Sequence, residues 1–124
     1  MFNYVHAFSG FSVDDLDKAR AFYSQALGLK VDDQDAGALK IHLNDKTWVF
    51  AYPKPDHKPA TYTILNFEVE DIEKAVQSLK DQGVTFENYP GTDTGEDGIS
   101  RSENGPRIAW FSDPAGNIIS VLQT

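Results

Sequence analysis

Three histidines and many carboxylates are the side chains of this sequence that could bind a metal or move a proton. His6 lies in a run of aromatic and β-branched residues, His42 lies on the polar side of an alternating segment, and Glu68 ends a second such run. Two imidazoles and a carboxylate form a reasonable ligand set for zinc or iron. Because no spacing brings these three together, a metal site at His6, His42 and Glu68 stays an open alternative.

Other reactive groups are scarce. The sequence contains no cysteine, which removes thiolate nucleophiles, disulfides and Cys-type metal sites. It also contains no G-x-S-x-G, P-loop or dinucleotide fingerprint. The acidic pair Asp14–Asp15 fits a helix N-terminus, whereas Asp32–Asp33 and His57 fit solvated loops. We therefore predict no catalytic residue, and the interpretation leans against an enzyme.

Aromatic side chains are the second notable group. Trp48 and Phe50 alternate with aliphatic residues in "TWVFAYP", and Phe8 and Trp110 lie in other segments that favour strands. Alternation places successive side chains on opposite faces of a sheet. We therefore expect some of these aromatic rings to line a ligand cleft and the others to fill the core.

The charge balance limits the partners. The 11 basic and 19 acidic side chains give a net charge of -8, which disfavours nucleic acid and anionic membranes and favours a cationic ligand. No apolar stretch approaches the ~18 residues of a membrane span, and the first residues lack the pattern of a signal peptide. We expect a cytoplasmic protein without a nucleic-acid or membrane partner.

The elements that must position these residues occur twice. "FSVDDLDKA", which begins at Phe11, is echoed 56 residues later by "FEVEDIEKA", which begins at Phe67. Both copies continue from a strand through an amphipathic helix into further strands. The repeat predicts an α+β fold in which two βαβββ modules, about 1–56 and 57–124, form a single domain. We expect a curled mixed sheet around a cleft, with the helices outside.

Local signals give the element boundaries. Asp14 or Asp15 can cap the first helix, and Gly28 and Gly83 suit the ends of the two helices. The first module is predicted to have strands over 4–13, 37–43 and 47–53, with a turn at 44–46. The second is predicted to have strands over 61–69, 84–89, 107–112 and 117–123, a polar loop over 90–106 and a turn at 113–117.

In this arrangement the sequence resembles the vicinal oxygen chelate superfamily, which contains glyoxalase I, extradiol dioxygenases, fosfomycin-resistance transferases and bleomycin-resistance proteins. The resemblance rests on "FSVDDLDKARAFYSQALGLKV" in the first module and on "GPRIAWFSDPAGNIISVLQ" at the end of the second. It covers nearly the whole chain and implies the fold. Because the superfamily performs different chemistry on one scaffold, it does not by itself imply an activity.

The resemblance also implies which positions would hold the family's metal. They fall on Phe8, Val49, Ile64 and Ser120. Phenyl and aliphatic groups supply no ligand atom, and a single serine hydroxyl is a poor ligand. We therefore predict no metal and no cofactor, and expect these positions to line an apolar cleft.

The function predicted from the sequence is metal-free binding of a small aromatic or cationic molecule, of the bleomycin-resistance type. Arg101 and Arg107, which flank the polar loop, are candidates for orienting the ligand. Two alternatives remain: a metal-dependent lyase, isomerase or dioxygenase with displaced ligands, and a non-catalytic regulatory domain. The predicted cleft residues are His6, Phe8, Trp48, Phe50, Ile64, Asn66, Trp110 and Ser120.

The sequence also favours a homodimer. Each module has an open sheet edge at its first strand, and unpaired edges are usually covered. The apolar run "FNYVHAFSGF" has the length to lie at a boundary between two copies. The resemblance adds that short two-module chains of this superfamily usually pair and complete each other's clefts. Whether the modules pair within one chain or are exchanged between two stays open.

Overall fold

The computed structural model describes residues 1–44, 46–89 and 94–124, and the chain divides into two compact units, Met1–Lys58 and Pro59–Thr124. Each unit contains one strand, a helical segment and three further strands, and its mixed sheet is not closed. The predicted α+β class and the two βαβββ modules are therefore confirmed. The inclusion of both modules in one domain stays a prediction.

The first unit carries a four-stranded sheet in the order β1-β4-β3-β2. The first strand runs parallel to the fourth, and the other neighbours are antiparallel. A π-helical segment, Phe22–Ala26, directly continues the helix. The elements are β1 Ser9–Val13, α1 Leu16–Ala21, β2 Val31–Asp33, β3 Leu39–Asn44 and β4 Thr47–Pro53.

The second unit repeats this topology with the order β5-β8-β7-β6. Its first and last strands are again parallel neighbours, and the other pairs are antiparallel. The elements are β5 Thr63–Glu68, α2 Ile72–Asp81, β6 Phe86–Glu87, β7 Arg107–Ser112 and β8 Ile118–Gln123.

The repeated sequence motif provides the N-terminal capping residue of each helix. The carboxylates of Asp15 and Asp71 each accept a hydrogen bond of 3.1 Å from the backbone amide three residues further on. This contact satisfies one of the free amides at a helix N-terminus. Gly28 and Gly83 adopt φ values of +69° and +89° just after the helical segments, where the left-handed conformation favours glycine. The predicted caps are confirmed.

One face of each sheet packs with the helical segment of its own unit to form a core. In β3, β4 and β7 the buried residues alternate with less buried ones, as expected for a half-covered sheet, whereas β8 is buried at three consecutive residues, Ile119–Val121. In the first unit the buried core residues include Val13, Tyr23, Leu39, Ile41, Val49 and Ala51. In the second they include Ile72, Val76, Ala109, Phe111, Ile119 and Val121.

The first strand is shorter than predicted. It begins at Ser9 instead of residue 4, and residues 1–8 lie in no strand. The register pairs Ser9 with Val49, while β4 itself begins only two residues earlier, at Thr47. In this register residues 4–6 would lie beyond the start of β4, which is one reason that the strand cannot extend to residue 4.

The acidic pair predicted to lie in a solvated loop is instead part of β2, so that prediction was wrong. Asp32 and Asp33 pair with residues of β3 in an antiparallel ladder. Their charges are compensated within the unit: Asp33 lies 2.5 Å from a guanidinium nitrogen of Arg20, and Asp32 lies 2.8 Å from His42. Two adjacent carboxylates are tolerated in a strand because each has its own partner.

The two predicted irregular segments fall partly outside the described residues. The turn at 44–46 includes residue 45, and the polar loop over 90–106 includes residues 90–93, all of which lie outside the described ranges. In the described part of the loop, Ser100 forms isolated bridges with Thr94 and Ile108. Within the described residues no helix has the length and apolar content to cross a membrane. The cytoplasmic location stays a prediction.

Candidate ligand-binding faces

Each sheet has one face turned to the helical segment of its unit and one turned away, which we call the helix-distal face. In the first unit Phe11 lies on the helix side, because its ring contacts Tyr23 with centroids 5.7 Å apart. Phe11 pairs with Ala51, which lies on the same side. By alternation, the helix-distal face of β4 presents Trp48 and Phe50.

Four of the predicted cleft residues lie together on this first helix-distal face. The ring of His6 stacks on Trp48 with centroids 4.3 Å apart, and Phe8 lies 5.9 Å from Trp48 and 4.8 Å from Phe50. We call His6, Phe8, Trp48 and Phe50 the aromatic cluster. Phe8 is 52% exposed, and Trp48 and Phe50 are half-buried, so their rings are accessible for contact with a ligand.

A glycine leaves free space beside the cluster. Gly10 is exposed and pairs with Phe50 in the parallel register. A Cβ atom at Gly10 would lie 3.5 Å from the carbonyl oxygen of Phe50 and 3.9 Å from the ring of Tyr52, which are ordinary contact distances. The missing side chain therefore leaves the surface beside Phe50 and Tyr52 uncovered.

Polar groups flank the cluster. The Lys40 ammonium lies 4.0 Å from the centroid of the Trp48 ring, a cation–π contact. His42 pairs with Trp48 across the strands, and its Nε2 lies 2.8 Å from Asp32. This hydrogen bond is the main cause that lowers the pKa of Asp32. His42 is thus held by a carboxylate within its own unit.

His57 lies in a loop, as predicted, but its side chain is less solvated than expected. Its side chain is half-buried, and Nδ1 lies 2.6 Å from the hydroxyl of Ser12 on β1. The amide of Lys54 also donates to the carbonyl of Val13. These contacts hold the segment after β4 against the end of β1, which is the reason that His57 is withdrawn from solvent.

Three of the other four predicted cleft residues share the helix-distal face of the second sheet. Asn66, Ser120 and Trp110 form one row across β5, β8 and β7, whereas Ile64 lies in a register shift between Thr63 and Leu65, where alternation does not determine its face. Ser120 is fully buried, and its hydroxyl donates a 2.6 Å hydrogen bond to Oδ1 of Asn66. The row is therefore apolar at Trp110, and its two polar side chains, Ser120 and Asn66, are hydrogen-bonded to each other.

Sequence reasoning missed a carboxylate at the end of this row. Glu87 on β6 pairs with Trp110, so both side chains lie on the same face. Ser112 donates a 2.8 Å hydrogen bond to Oε1 of Glu87, and the Tyr89 hydroxyl donates to Oε2. Desolvation, followed by the hydrogen bond to Glu87, raises the pKa of Tyr89. Strand alternation after the inward Phe86 could have identified Glu87.

The two arginines predicted to orient a ligand contact carboxylates within their own unit, and their role toward a ligand stays a prediction. Arg107 shares the helix-side face of β7, and both Arg107 and Arg101 approach Glu73 of α2, at 3.8 and 3.7 Å. Arg101 also forms a two-pronged contact with Asp97, at 2.6 and 3.2 Å. This contact is the main cause that lowers the pKa of Asp97 to about 2.

The residues at the family's metal positions do not fit a metal. Phe8 and Ile64 offer only carbon, and the Ser120 hydroxyl already donates to Asn66. The prediction that Val49 lines the cleft was wrong, because this residue is 6% exposed and lies in the core of the first unit. The helix-distal positions of β4 before residue 52 are Trp48 and Phe50, which also lack a good ligand atom.

The alternative set of His6, His42 and Glu68 gains no support. His42 is hydrogen-bonded to Asp32, and Glu68 accepts a 3.1 Å hydrogen bond from Thr124. Across residues 1–44, 46–89 and 94–124, no three or more His, Cys, Asp or Glu side chains form a group that could hold a metal ion.

The two βαβββ modules have the same strand order, which is typical of proteins built from a duplicated module. Comparison of the sequence with family models identifies the family. The family model described as "Glyoxalase/Bleomycin resistance protein/Dioxygenase superfamily" matches residues 4–121. The chain belongs to this superfamily, as the resemblance in its repeated motifs predicted.

Several known proteins are similar to this chain. The uncharacterized protein YurT of Bacillus subtilis is 32% identical over 131 aligned positions, which cover 90% of this chain and 92% of YurT. The structure of TnmS3, an antibiotic binding protein from Streptomyces sp. CB03234, has a TM-score of 0.71 and 25% identity, and the match covers 98% of both chains. FosX from Listeria monocytogenes, a fosfomycin resistance protein, has a TM-score of 0.72 at 16% identity; 100% of this chain and 95% of FosX are covered.

Proposed function

We propose that this protein is a metal-free binding protein that sequesters a flat, aromatic, positively charged small molecule and performs no reaction on it. The observation that carries this proposal is the aromatic cluster, in which the half-exposed Phe8 contacts Phe50 and Phe50 lies beside Gly10, an exposed position without a side chain. The similarity to TnmS3, an antibiotic binding protein, supports a binding role. The chemistry of the residues at the family's metal positions supports the absence of a metal.

Physical magnitudes favour an aromatic cation over a neutral ligand. A favourable contact between two aromatic rings contributes about 0.5–1.5 kcal/mol beyond the area that it buries. A cation over an aromatic face adds roughly 0.5–2 kcal/mol, more where water is excluded. The net charge of -8 also raises the local concentration of cations near the surface. Stacking therefore supplies affinity for flat rings, and charge supplies selectivity among them.

We expect the purified protein to bind 9-aminoacridine, which is cationic at neutral pH, more tightly than acridine, which is neutral. A fluorescence titration with each compound, with and without EDTA, measures both affinities. The expected result is a dissociation constant for the cation well below about 1 mM and unchanged by EDTA. If neither compound binds below that concentration, the binding function is wrong. If EDTA abolishes binding, the metal-free proposal is wrong.

We also propose that the protein is a homodimer in which residues 1–8 lie against a second copy. The large apolar side chains of this segment are unusually exposed for so short a stretch: Met1 is 114%, Phe2 83%, Tyr4 68%, Val5 103% and Phe8 52% exposed. Phe2 stacks on Tyr4 at 5.5 Å and His6 stacks on Phe8 at 6.2 Å, so the segment carries two pairs of stacked rings. An exposed apolar surface of this kind is typical of an interface.

Light scattering at micromolar concentration should give a mass of twice 13.8 kDa for the unmodified chain. Replacing Phe2 and Tyr4 together by serine should give the monomer mass, because it removes two apolar contacts from each copy of a two-fold interface. Tyr62→Ser removes an aromatic residue that is 70% exposed in the second unit, and it should leave the dimer intact. A monomeric unmodified chain, or a dimeric double variant, would contradict the proposal.

A further inference from the structure

We propose that Glu87, Tyr89 and Trp110 form a recognition subsite for an organic cation, a protonated or quaternary amine, on the helix-distal face of the second sheet. This inference rests on the proposed function, since it assigns the group that pairs with the positive charge of the ligand. It concerns the second unit, whereas the aromatic cluster belongs to the first.

The first step is the placement of the carboxylate. Glu87 lies on β6, the edge strand of the sheet, and its Cα pairs with that of Trp110 on β7. Directly opposed side chains in an antiparallel pair have Cβ atoms only about 4.5–5.5 Å apart. The carboxylate therefore lies beside the indole, at a rim of the sheet that a small molecule can approach without crossing another strand.

The second step is the charge. Both carboxylate oxygens of Glu87 accept hydrogen bonds from hydroxyl groups, Oε1 from Ser112 at 2.8 Å and Oε2 from Tyr89. Hydroxyl donors fix the position of a carboxylate and leave its full negative charge. Among the described residues no Lys, Arg or His forms an ion pair with Glu87. A half-buried carboxylate without a cation is costly, and a ligand cation would offset that cost.

The third step is the aromatic surround. The rings of Tyr89 and Trp110 meet at 81° with centroids 5.9 Å apart, so together they form a corner. Ammonium groups are attracted to the faces of such rings, and most strongly to tryptophan. The pKa of Tyr89 is raised by desolvation and by its hydrogen bond to Glu87, so the phenol remains a neutral donor at physiological pH. The corner thus combines two neutral rings with one oriented negative charge.

The two tryptophans make the test specific, because Trp48 lies in the first unit and Trp110 in the second. Their indole N–H signals in a ¹H–¹⁵N spectrum can be assigned with Trp48→Phe and Trp110→Phe variants. The probe is benzyltrimethylammonium, and its neutral comparison is benzyl alcohol, both titrated at one fixed ionic strength. We expect the Trp110 signal to shift and saturate with the cation, and to respond weakly to the alcohol.

Glu87→Gln should weaken the binding of the cation by about tenfold or more, because it removes a partly desolvated charge at contact distance. Glu68→Gln is the matched control. Glu68 lies on the same face of the same sheet, and either substitution changes the net charge from -8 to -7. Since both variants lose equal long-range attraction, the difference between them measures the local contact.

Tyr89→Leu, which keeps the carboxylate and removes one ring, is a second and independent variant. It should weaken the binding of benzyltrimethylammonium about threefold or more. Urea unfolding of the Glu87→Gln and Tyr89→Leu variants shows whether the fold is retained. The inference is overturned if the Trp110 signal does not respond to the cation, if benzyl alcohol binds equally well, or if Glu68→Gln and Glu87→Gln have equal effects. Failure of the aromatic cluster to bind acridines would instead appear at Trp48, so the two failures are distinguishable.

Discussion

Replacing Phe50 by alanine should weaken the binding of 9-aminoacridine by about ten- to a hundredfold, as expected when one stacking ring is removed. Phe50 is half-buried on the helix-distal face beside Gly10, and its ring lies 4.8 Å from Phe8. Its neighbours Val49 and Ala51 face the core and are unchanged, so β4 keeps its packing. The measurement is the fluorescence titration of the two compounds, repeated on the variant.

A gain of volume at the same place provides a complementary test. Gly10→Val puts a branched side chain onto the uncovered surface beside Phe50, and the distances of 3.5 Å or more around its Cβ position allow it without a backbone clash. It should reduce the affinity by a similar factor while leaving unfolding nearly unchanged, because valine favours strands. Tyr62→Ala, a change to an exposed ring in the second unit, is the control for general loss of aromatic surface. If Phe50→Ala and Gly10→Val both bind 9-aminoacridine as tightly as the unmodified protein does, the ligand binds elsewhere.

The fold was predictable because the same signals occur twice at one offset. The cap residues Asp15 and Asp71, the terminal glycines and the alternating strands each determine a local structure that the neighbouring element also requires. A fold can be predicted from its sequence when the local preferences of the residues agree with the long-range packing in this way. The strand start at Ser9 was missed because the extent of β1 depends on its pairing with β4, which the local sequence does not give.

The residues of the candidate faces were predictable only as far as alternation determines them. Alternation correctly grouped Trp48 with Phe50, but it does not determine the face of Ile64, where the pairing of β5 with β8 shifts register. Val49 was assigned to the cleft by the resemblance, and an alignment shifted by one residue moves a side chain to the opposite face of a strand.

Contacts between distant segments could not be predicted. The hydrogen bond of His57 to Ser12 spans 45 positions, and that of Glu87 to Ser112 spans 25. No local pattern marks such partners, since each depends on which strands become neighbours. Alternation could place Glu87 on the face opposite Phe86, but its position beside Trp110 depends on the pairing of β6 with β7.

Replacing Asp113 by alanine should lower the free energy of unfolding by about 2–4 kcal/mol, because it leaves buried donors without an acceptor. Asp113 is 5% exposed in the turn that joins β7 to β8. Its Oδ1 accepts from the amides of Ala115 and Asn117, both at 2.9 Å, and its Oδ2 accepts from the side chain of Asn117 at 3.0 Å. The turn holds the register in which Trp110 opposes Ser120, so the variant should also disturb the second helix-distal face.

Asp113→Asn is the matched control for this turn. Its amide oxygen can still accept from the two backbone amides, whereas its NH₂ group cannot accept from the Asn117 side chain. The loss should therefore be smaller, about 1–2 kcal/mol. Urea unfolding followed by circular dichroism measures the free energy of unfolding of both variants. An unchanged m-value shows that a shift of the midpoint reports a change in stability. Equal losses in the two variants, or a loss below about 1 kcal/mol in Asp113→Ala, would contradict the assignment of the carboxylate as the acceptor that holds this turn.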